Sequence, residues 1–152
     1  FNSVIRTWRF SPPPTGIDMS NYKIENFDSW TLQSCKSEGT DSRLGDEALY
    51  AWLYPNFMIN RYGKIMDTNW VIPLGQDRCL TVFDYYFADP GDKAFIEASM
   101  DPSESVQKED IAISESVQKG LGSSAYKAGR YSVQHESGMH LFHQWLYRDL
   151  SI

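Results

Sequence analysis

LYAWLYPNFMINRYGKIMDTNWVIPLGQDRCLTVFDYYF, residues 49–87, is the most aromatic stretch of the chain, and its reading decides the fold. Leu49–Tyr54 is apolar at nearly every position, which suits a strand buried on both faces or the start of a core helix; its length and aromatic content favour the strand. Pro55 lacks a backbone donor and belongs at a bulge or a break, with Asn56–Asn60 continuing extended. Arg61-Tyr62-Gly63-Lys64 is expected to turn, Gly63 supplying the permissive backbone. Met66–Leu74 reads as the next strand, Gly75-Gln76-Asp77-Arg78 as a hairpin loop and Cys79–Phe87 as the returning strand. The stretch is an antiparallel meander.

Towards the N-terminus, Ser34–Gly45 is rich in Ser, Gly and charge and reads as a loop. Tyr22–Ser34 alternates loosely and suits a strand or two, Trp30-Thr31-Leu32-Gln33 among them. Pro12-Pro13-Pro14 forces an extended segment before that. Residues 1–45 thus read as arm and loops, and residues 46–152 as the body of a domain. Towards the C-terminus, Asp89-Pro90-Gly91 closes the meander and Asp92 is placed to cap a short helix over Lys93–Met100. Asp101-Pro102-Ser103 is expected to end that helix and start another, from Glu104 to about Lys119, with Gly120 and Gly122 stopping it. Val106, Ile113, Val117 and Leu121 form its apolar stripe. SESVQK occurs at Ser103–Lys108 and again at Ser114–Lys119, an offset of about three helical turns that repeats one face. Ser123–Arg130 reads as a loop, and Gly138–Asp149 as a last amphipathic helix. Strands followed by helices give an α+β fold: a curved antiparallel sheet with helices packed on one face.

The chain has 152 residues, 41% hydrophobic and 14% aromatic, with a formal charge of −6. No basic stripe exists to neutralise phosphates, which argues against nucleic acid. No apolar run approaches a membrane span. The first residue is Phe, so the chain is expected to start inside a longer reading frame or to be a fragment, and no signal segment is visible. Cys35 and Cys79 lie in no C-x-x-C or C-x-H pattern and read as two free thiols.

Asp110 is the sharpest chemical candidate. It sits four residues after Val106 and three before Ile113, on the apolar face of its helix. A carboxylate turned inward needs a cation, a donor or a metal, and an Arg, a Lys or a backbone donor is the plain answer. Glu136, His140 and His143 share the spacing E-x-x-x-H-x-x-H, within reach of one helix face. The H-E-x-x-H pattern is absent, and surface or half-buried histidines bonded to neighbours are the plain reading. Asn56 and Asn60 suit either a substrate hydroxyl or the backbone groups freed near Pro55; the second is favoured. Trp52, Tyr54, Phe57, Trp70, Phe83 and Tyr85 are spread over neighbouring strands, and for any one ring packing is the plain role.

ALYAWLYPNFMINRYG, MDTNWVIPLG and VFDYYF, then EDIAISESVQKGLGSSAYKAGRY and MHLFHQWLYRDL, resemble the plant choline monooxygenases, Rieske-type non-haem iron oxygenases. The resemblance runs from about Ser42 to Leu150, covering the last part of that family's catalytic domain. It implies the helix-grip fold. It implies a mononuclear Fe(II) held by two His and one Asp, with Asp110 as the carboxylate ligand. It also implies a Rieske 2Fe-2S cluster that this chain does not ligate. Its two His ligands come from a segment before the YPNFMIN strand, and His135, His140 and His143 all follow Asp110. The implied reaction oxidises choline to betaine aldehyde, as its hydrate, in glycine betaine synthesis. The implied partners are choline, an electron donor such as ferredoxin and further copies of the protein, in the chloroplast stroma. Choline binds over aromatic faces at roughly 0.5–2 kcal/mol per contact, so the six rings are its implied pocket. The 152 residues alone are expected to be inactive. The alternative is a truncated or degenerate paralogue that binds a small ligand on a helix-grip scaffold without redox chemistry.

Overall fold

A computed structural model describes residues 22–36, 45–75, 77–133 and 135–150. The triple-proline segment and residues 37–44 of the expected Ser34–Gly45 loop fall outside those residues; Ser34, Cys35 and Lys36 are strand and not loop, because they pair with Leu49, Ala48 and Glu47. Six strands come first: β1 (Lys23–Asn26), β2 (Trp30–Lys36), β3 (Glu47–Leu53), β4 (Phe57–Tyr62), β5 (Ile65–Pro73) and β6 (Cys79–Phe87). Two helices follow, α1 (Lys93–Leu121) and α2 (Ser137–Leu150). The strands form one open antiparallel sheet in sequence order, as expected of a meander. The α+β architecture with helices on one face is the one expected.

The turns are tighter than the sequence suggests. Tyr54-Pro55-Asn56 is the turn between β3 and β4, and the Tyr54–Pro55 bond is cis. Pro55 therefore ends one strand and does not interrupt a continuing one. Asn56 ties this turn to β5: its Nδ2 donates to the Val71 carbonyl at 2.9 Å and its own carbonyl accepts from Val71 N at 3.0 Å. That is the backbone-satisfying role favoured for it. Arg61 and Tyr62 stay in β4, paired with Met66 and Ile65, so only Gly63-Lys64 turns. Gly63 takes φ 53° there, and Gly45 takes φ 63°. A Cβ on Gly45 would come within 2.7 Å of Gly63 Cα, so these two backbones approach each other as only glycines allow.

Register sorts the residues between two faces. Thr31 pairs with Trp52, Trp52 with Met58, Met58 with Asn69 and Asn69 with Phe83, so these five side chains share a face. Every buried strand residue lies on it: Thr31, Gln33, Cys35, Ala48, Met58, Asn60, Ile65, Asp67 and Asn69. The helices cover this face. Gly138 of α2 sits on Thr31, where a Cβ would lie 3.5 Å from the threonine methyl. Trp145 of α2 is buried beside Trp52 and Tyr54. At the other side of the sheet Phe95 of α1 meets Phe87 of β6 edge-on, with centroids 6.3 Å apart.

One expectation about the helices is corrected. Asp92 caps as predicted, its side chain accepting from Phe95 N at 3.1 Å. The chain then runs as a single helix of 29 residues straight through Pro102. An interior proline removes one helical bond and crowds the preceding turn, but it does not by itself force a stop. The serines around it turn their hydroxyls onto carbonyls one turn back, a bonding that goes with bending of a helix and not with its end. Ser99 Oγ donates to the Phe95 carbonyl at 2.7 Å, Ser103 Oγ to Ser99 at 3.0 Å and Ser105 Oγ to Asp101 at 3.0 Å. The inward stripe is corrected too. Asp110, Ile113 and Val117 are half-buried, but Val106 is 49% exposed and Leu121 40%. Ser103, Gln107 and Ser114 stand inward instead, because the edge of β6 that α1 faces offers polar as well as apolar atoms.

Candidate functional site

A cleft of about 280 Å³ opens between α1 and the outer strand β6. The period of two in β6 sends Cys79, Thr81 and Phe83 to its floor, and helical spacing sends Gln107, Asp110 and Ser114 to its opposite wall. Asp110 is thus where its spacing predicted, half-buried and turned towards the sheet. It brings a carboxylate to a wall shared with a phenyl ring, a thiol and a hydroxyl. A site of two imidazoles and one carboxylate would need one such group. Among the described residues no three His, Cys, Asp or Glu side chains converge. The cleft as described therefore does not make up an iron site by itself: it offers the carboxylate, and no imidazole lines it.

The histidines sit elsewhere, around the start of α2. His143 Nδ1 lies 2.7 Å from the Tyr131 hydroxyl, and the His140 ring packs on the same tyrosine at 5.5 Å. Burial, and then the neighbouring His140, push the His143 pKa below its ordinary value. Glu136 precedes the helix and turns its carboxylate back to accept from the Ser132 backbone N–H. The three side chains of the E-x-x-x-H-x-x-H stretch thus serve the approach to α2.

The six aromatic candidates divide into three places. Trp52 and Tyr54 form a seam with α2: Trp52 meets Phe142 at 4.3 Å, and Tyr54 meets Trp145 at 5.7 Å. The Tyr54 hydroxyl also bonds Asp149, which together with Arg148 holds that carboxyl below its usual range. Phe83 floors the cleft, and Tyr85 follows it on the same face. Phe57 and Trp70 are cross-strand partners on the opposite face, where Trp70 is 51% exposed. Phe83 and Tyr85 share the helix-covered surface with Asp110, and Phe57 and Trp70 do not.

A polar network that no motif announces lies on that same surface. Asp67 Oδ1 accepts from Asn60 Nδ2 at 2.8 Å and from Asn69 Nδ2 at 2.7 Å, and Oδ2 accepts from the Tyr62 hydroxyl at 2.9 Å. Asn60 Nδ2 also reaches Asn69 Oδ1 at 3.2 Å. Asn60, read from sequence as a backbone partner, belongs to this network instead. A signal was available: in Ile65-Met66-Asp67-Thr68-Asn69 the polar Asp67 and Asn69 share parity with the apolar Ile65, so one face had to bury both kinds.

Residues 16–151 match the family model described as the ring hydroxylating alpha subunit, catalytic domain. Chloroplastic choline monooxygenase of Arabidopsis thaliana is 49% identical over 146 residues, 91% of this chain and 34% of the relative. The Beta vulgaris protein of the same name is 44% identical over 141 residues, 88% of this chain and 31% of its own length. The chain thus spans about a third of the curated relatives it matches. Among solved structures, a quaternary ammonium Rieske monooxygenase described for carnitine oxidation by gut microbiota superposes with a TM-score of 0.78 at 24% identity, over 88% of this chain and 40% of that one. The quaternary ammonium Rieske monooxygenase CntA in complex with gamma-butyrobetaine gives a TM-score of 0.71 at 25% identity, over 84% and 38%.

Proposed function

The chain belongs to the ring hydroxylating alpha subunit family, and from that premise we propose that it is the C-terminal part of the catalytic domain of a choline monooxygenase. The family is that of Rieske non-haem iron oxygenases, which use a mononuclear iron and a Rieske 2Fe-2S cluster. The iron supplies oxygen activation and the cluster supplies electrons. The reaction proposed for the whole protein is oxidation of choline to betaine aldehyde, as its hydrate, the first step of glycine betaine synthesis. Reduced ferredoxin is the proposed donor, the working form is a homo-oligomer and the compartment is the chloroplast stroma. Asp110 is the proposed carboxylate ligand, with both imidazoles supplied from outside the described residues. Phe83 and Tyr85 are the proposed ring faces for the trimethylammonium group, since they share the surface of Asp110. Trp52 and Tyr54 shape the pocket from the α2 seam.

The observation that carries this reading is the 49% identity over 91% of the chain to a plant choline monooxygenase. Its test uses the complete protein, loaded with iron and cluster and supplied with reduced ferredoxin, oxygen and choline. Betaine aldehyde should form, and Asp110→Ala should keep the visible spectrum of the cluster while losing mononuclear iron and turnover. The 152-residue chain with ferrous iron alone should give no product. Absence of choline turnover by the complete protein would sink the reading. Full iron content in Asp110→Ala would remove Asp110 from the ligand set.

A further inference from the structure

Taking the protein as a choline oxygenase, as above, we propose that Asp67 is the anion by which it selects a cationic substrate over a neutral one of the same shape. Asp67 is 5% exposed, and its donors Asn60 and Asn69 are 7% and 1% exposed. All three side chains that bond it, Asn60, Asn69 and Tyr62, are neutral. Among the described residues no Lys, Arg or His forms an ion pair with it. The hydrogen bonds satisfy the carboxylate oxygens and leave the negative charge uncancelled. An asparagine would fill the same hole and accept both amide bonds through its one oxygen, and only the Tyr62 bond to the second oxygen would have to reverse. A buried carboxylate that meets only neutral donors, with no cation paired to it among the described residues, points to a cation supplied by a ligand.

The place and the ligand chemistry fit each other. Asp67 lies across from Tyr85 and Asn69 across from Phe83, on the surface that carries the cleft and Asp110. The anion is one strand behind the aromatic edge, about 5 Å by ordinary strand spacing. Coulomb attraction reaches across such a gap when little water intervenes. A quaternary ammonium has no N–H and cannot use a free carboxylate lone pair. It is recognised only by ring faces and by charge felt at a distance. A carboxylate whose oxygens are already taken by the protein's own amides is therefore no handicap, and it is held still.

The experiment compares choline with 3,3-dimethylbutan-1-ol, in which a carbon replaces the nitrogen and the charge is gone. Binding of each to the complete, metal-loaded protein is measured by calorimetry, for wild type, Asp67→Asn and Asp67→Glu. The wild type should prefer choline. Asp67→Asn should weaken choline about tenfold or more and leave the neutral alcohol unchanged. Asp67→Glu, which keeps the charge, should keep the preference. A purely structural role predicts an equal loss for both ligands, and that result overturns the assignment. So does an unchanged preference in Asp67→Asn, or a lost one in Asp67→Glu. A wild type that binds choline no better than its isostere overturns it without any variant. A wild type that binds choline in no measurable amount overturns the choline reading itself, and this one with it.

Discussion

His143 shows how one residue carries an environment into a measurable pH dependence. Burial and the adjacent His140 lower its pKa below 6.5, so the folded state holds the neutral ring where the unfolded chain takes a proton. Above about pH 6.5 neither state is protonated and the contribution to stability is complete. As pH falls below that value the unfolded chain binds the proton first, and stability declines until the folded pKa is reached. Denaturant titrations of the intact protein between about pH 7.5 and about pH 5 should show this loss, and His143→Gln should flatten it. An unaltered slope in the variant would place the loss on other groups. At this scale the sequence told more about Asp110 than about Asp67. Asp110 lies three and seven residues before Ile113 and Val117, which turn inward with it, so helical spacing was enough to place it even though Val106 and Leu121 point out. Asp67 is buried by what its strand neighbours Asn60, Tyr62 and Asn69 bring from across the sheet, and pairing partners are not local information.

Among the elements, the strands were legible almost to the residue because turn residues and aromatic runs alternate along residues 49–87. Cys79–Phe87 matches β6 at both ends, and the deviations in β4 come from pairing that extends to Tyr62↔Ile65. The long helix was not legible. Asp101-Pro102-Ser103 carries the local grammar of a boundary, a candidate cap followed by a proline, and the continuous α1 overrides it. The local grammar does not show that Ser99, Ser103 and Ser105 spend their hydroxyls on carbonyls one turn back instead of capping a new helix. Pro102 leaves the Ala98 carbonyl without its helical donor, at a cost of up to about 3 kcal/mol relative to alanine. Pro102→Ala should therefore raise the melting temperature of the intact protein and leave the proposed choline oxidation unchanged, since Pro102 is exposed and outside the cleft. A lower melting temperature would mean that the proline sets a bend on which the packing of α1 depends.

Over the whole molecule, the two faces of the sheet have different fates. One takes both helices, the cleft and every buried strand residue. The other carries Leu32, Leu49, Leu53, Phe57, Ile59 and Met66 half-buried, with Trp70 and Leu80 at least half exposed. The regular alternation of a strand hides this, because Trp52 and Trp70 look alike in sequence and both sit in aromatic runs. Burial distinguishes them. Trp52 packs against Phe142 and lies near Trp145, so its removal opens a cavity between sheet and helix. Trp70 has no such cover among the described residues and pairs across the strand with Phe57. In the 152-residue chain, Trp52→Ala should cost about 3–5 kcal/mol, the range for large core aromatics. Trp70→Ala should cost less than about 1 kcal/mol there, as an exposed cross-strand partner does. Urea midpoints of the two variants measure the difference. Equal costs would show that the face bearing Trp70 is packed as tightly as the face bearing the helices. A rise in the Trp70→Ala cost on passing from this chain to the complete protein would locate further contacts of the oxygenase on that second face.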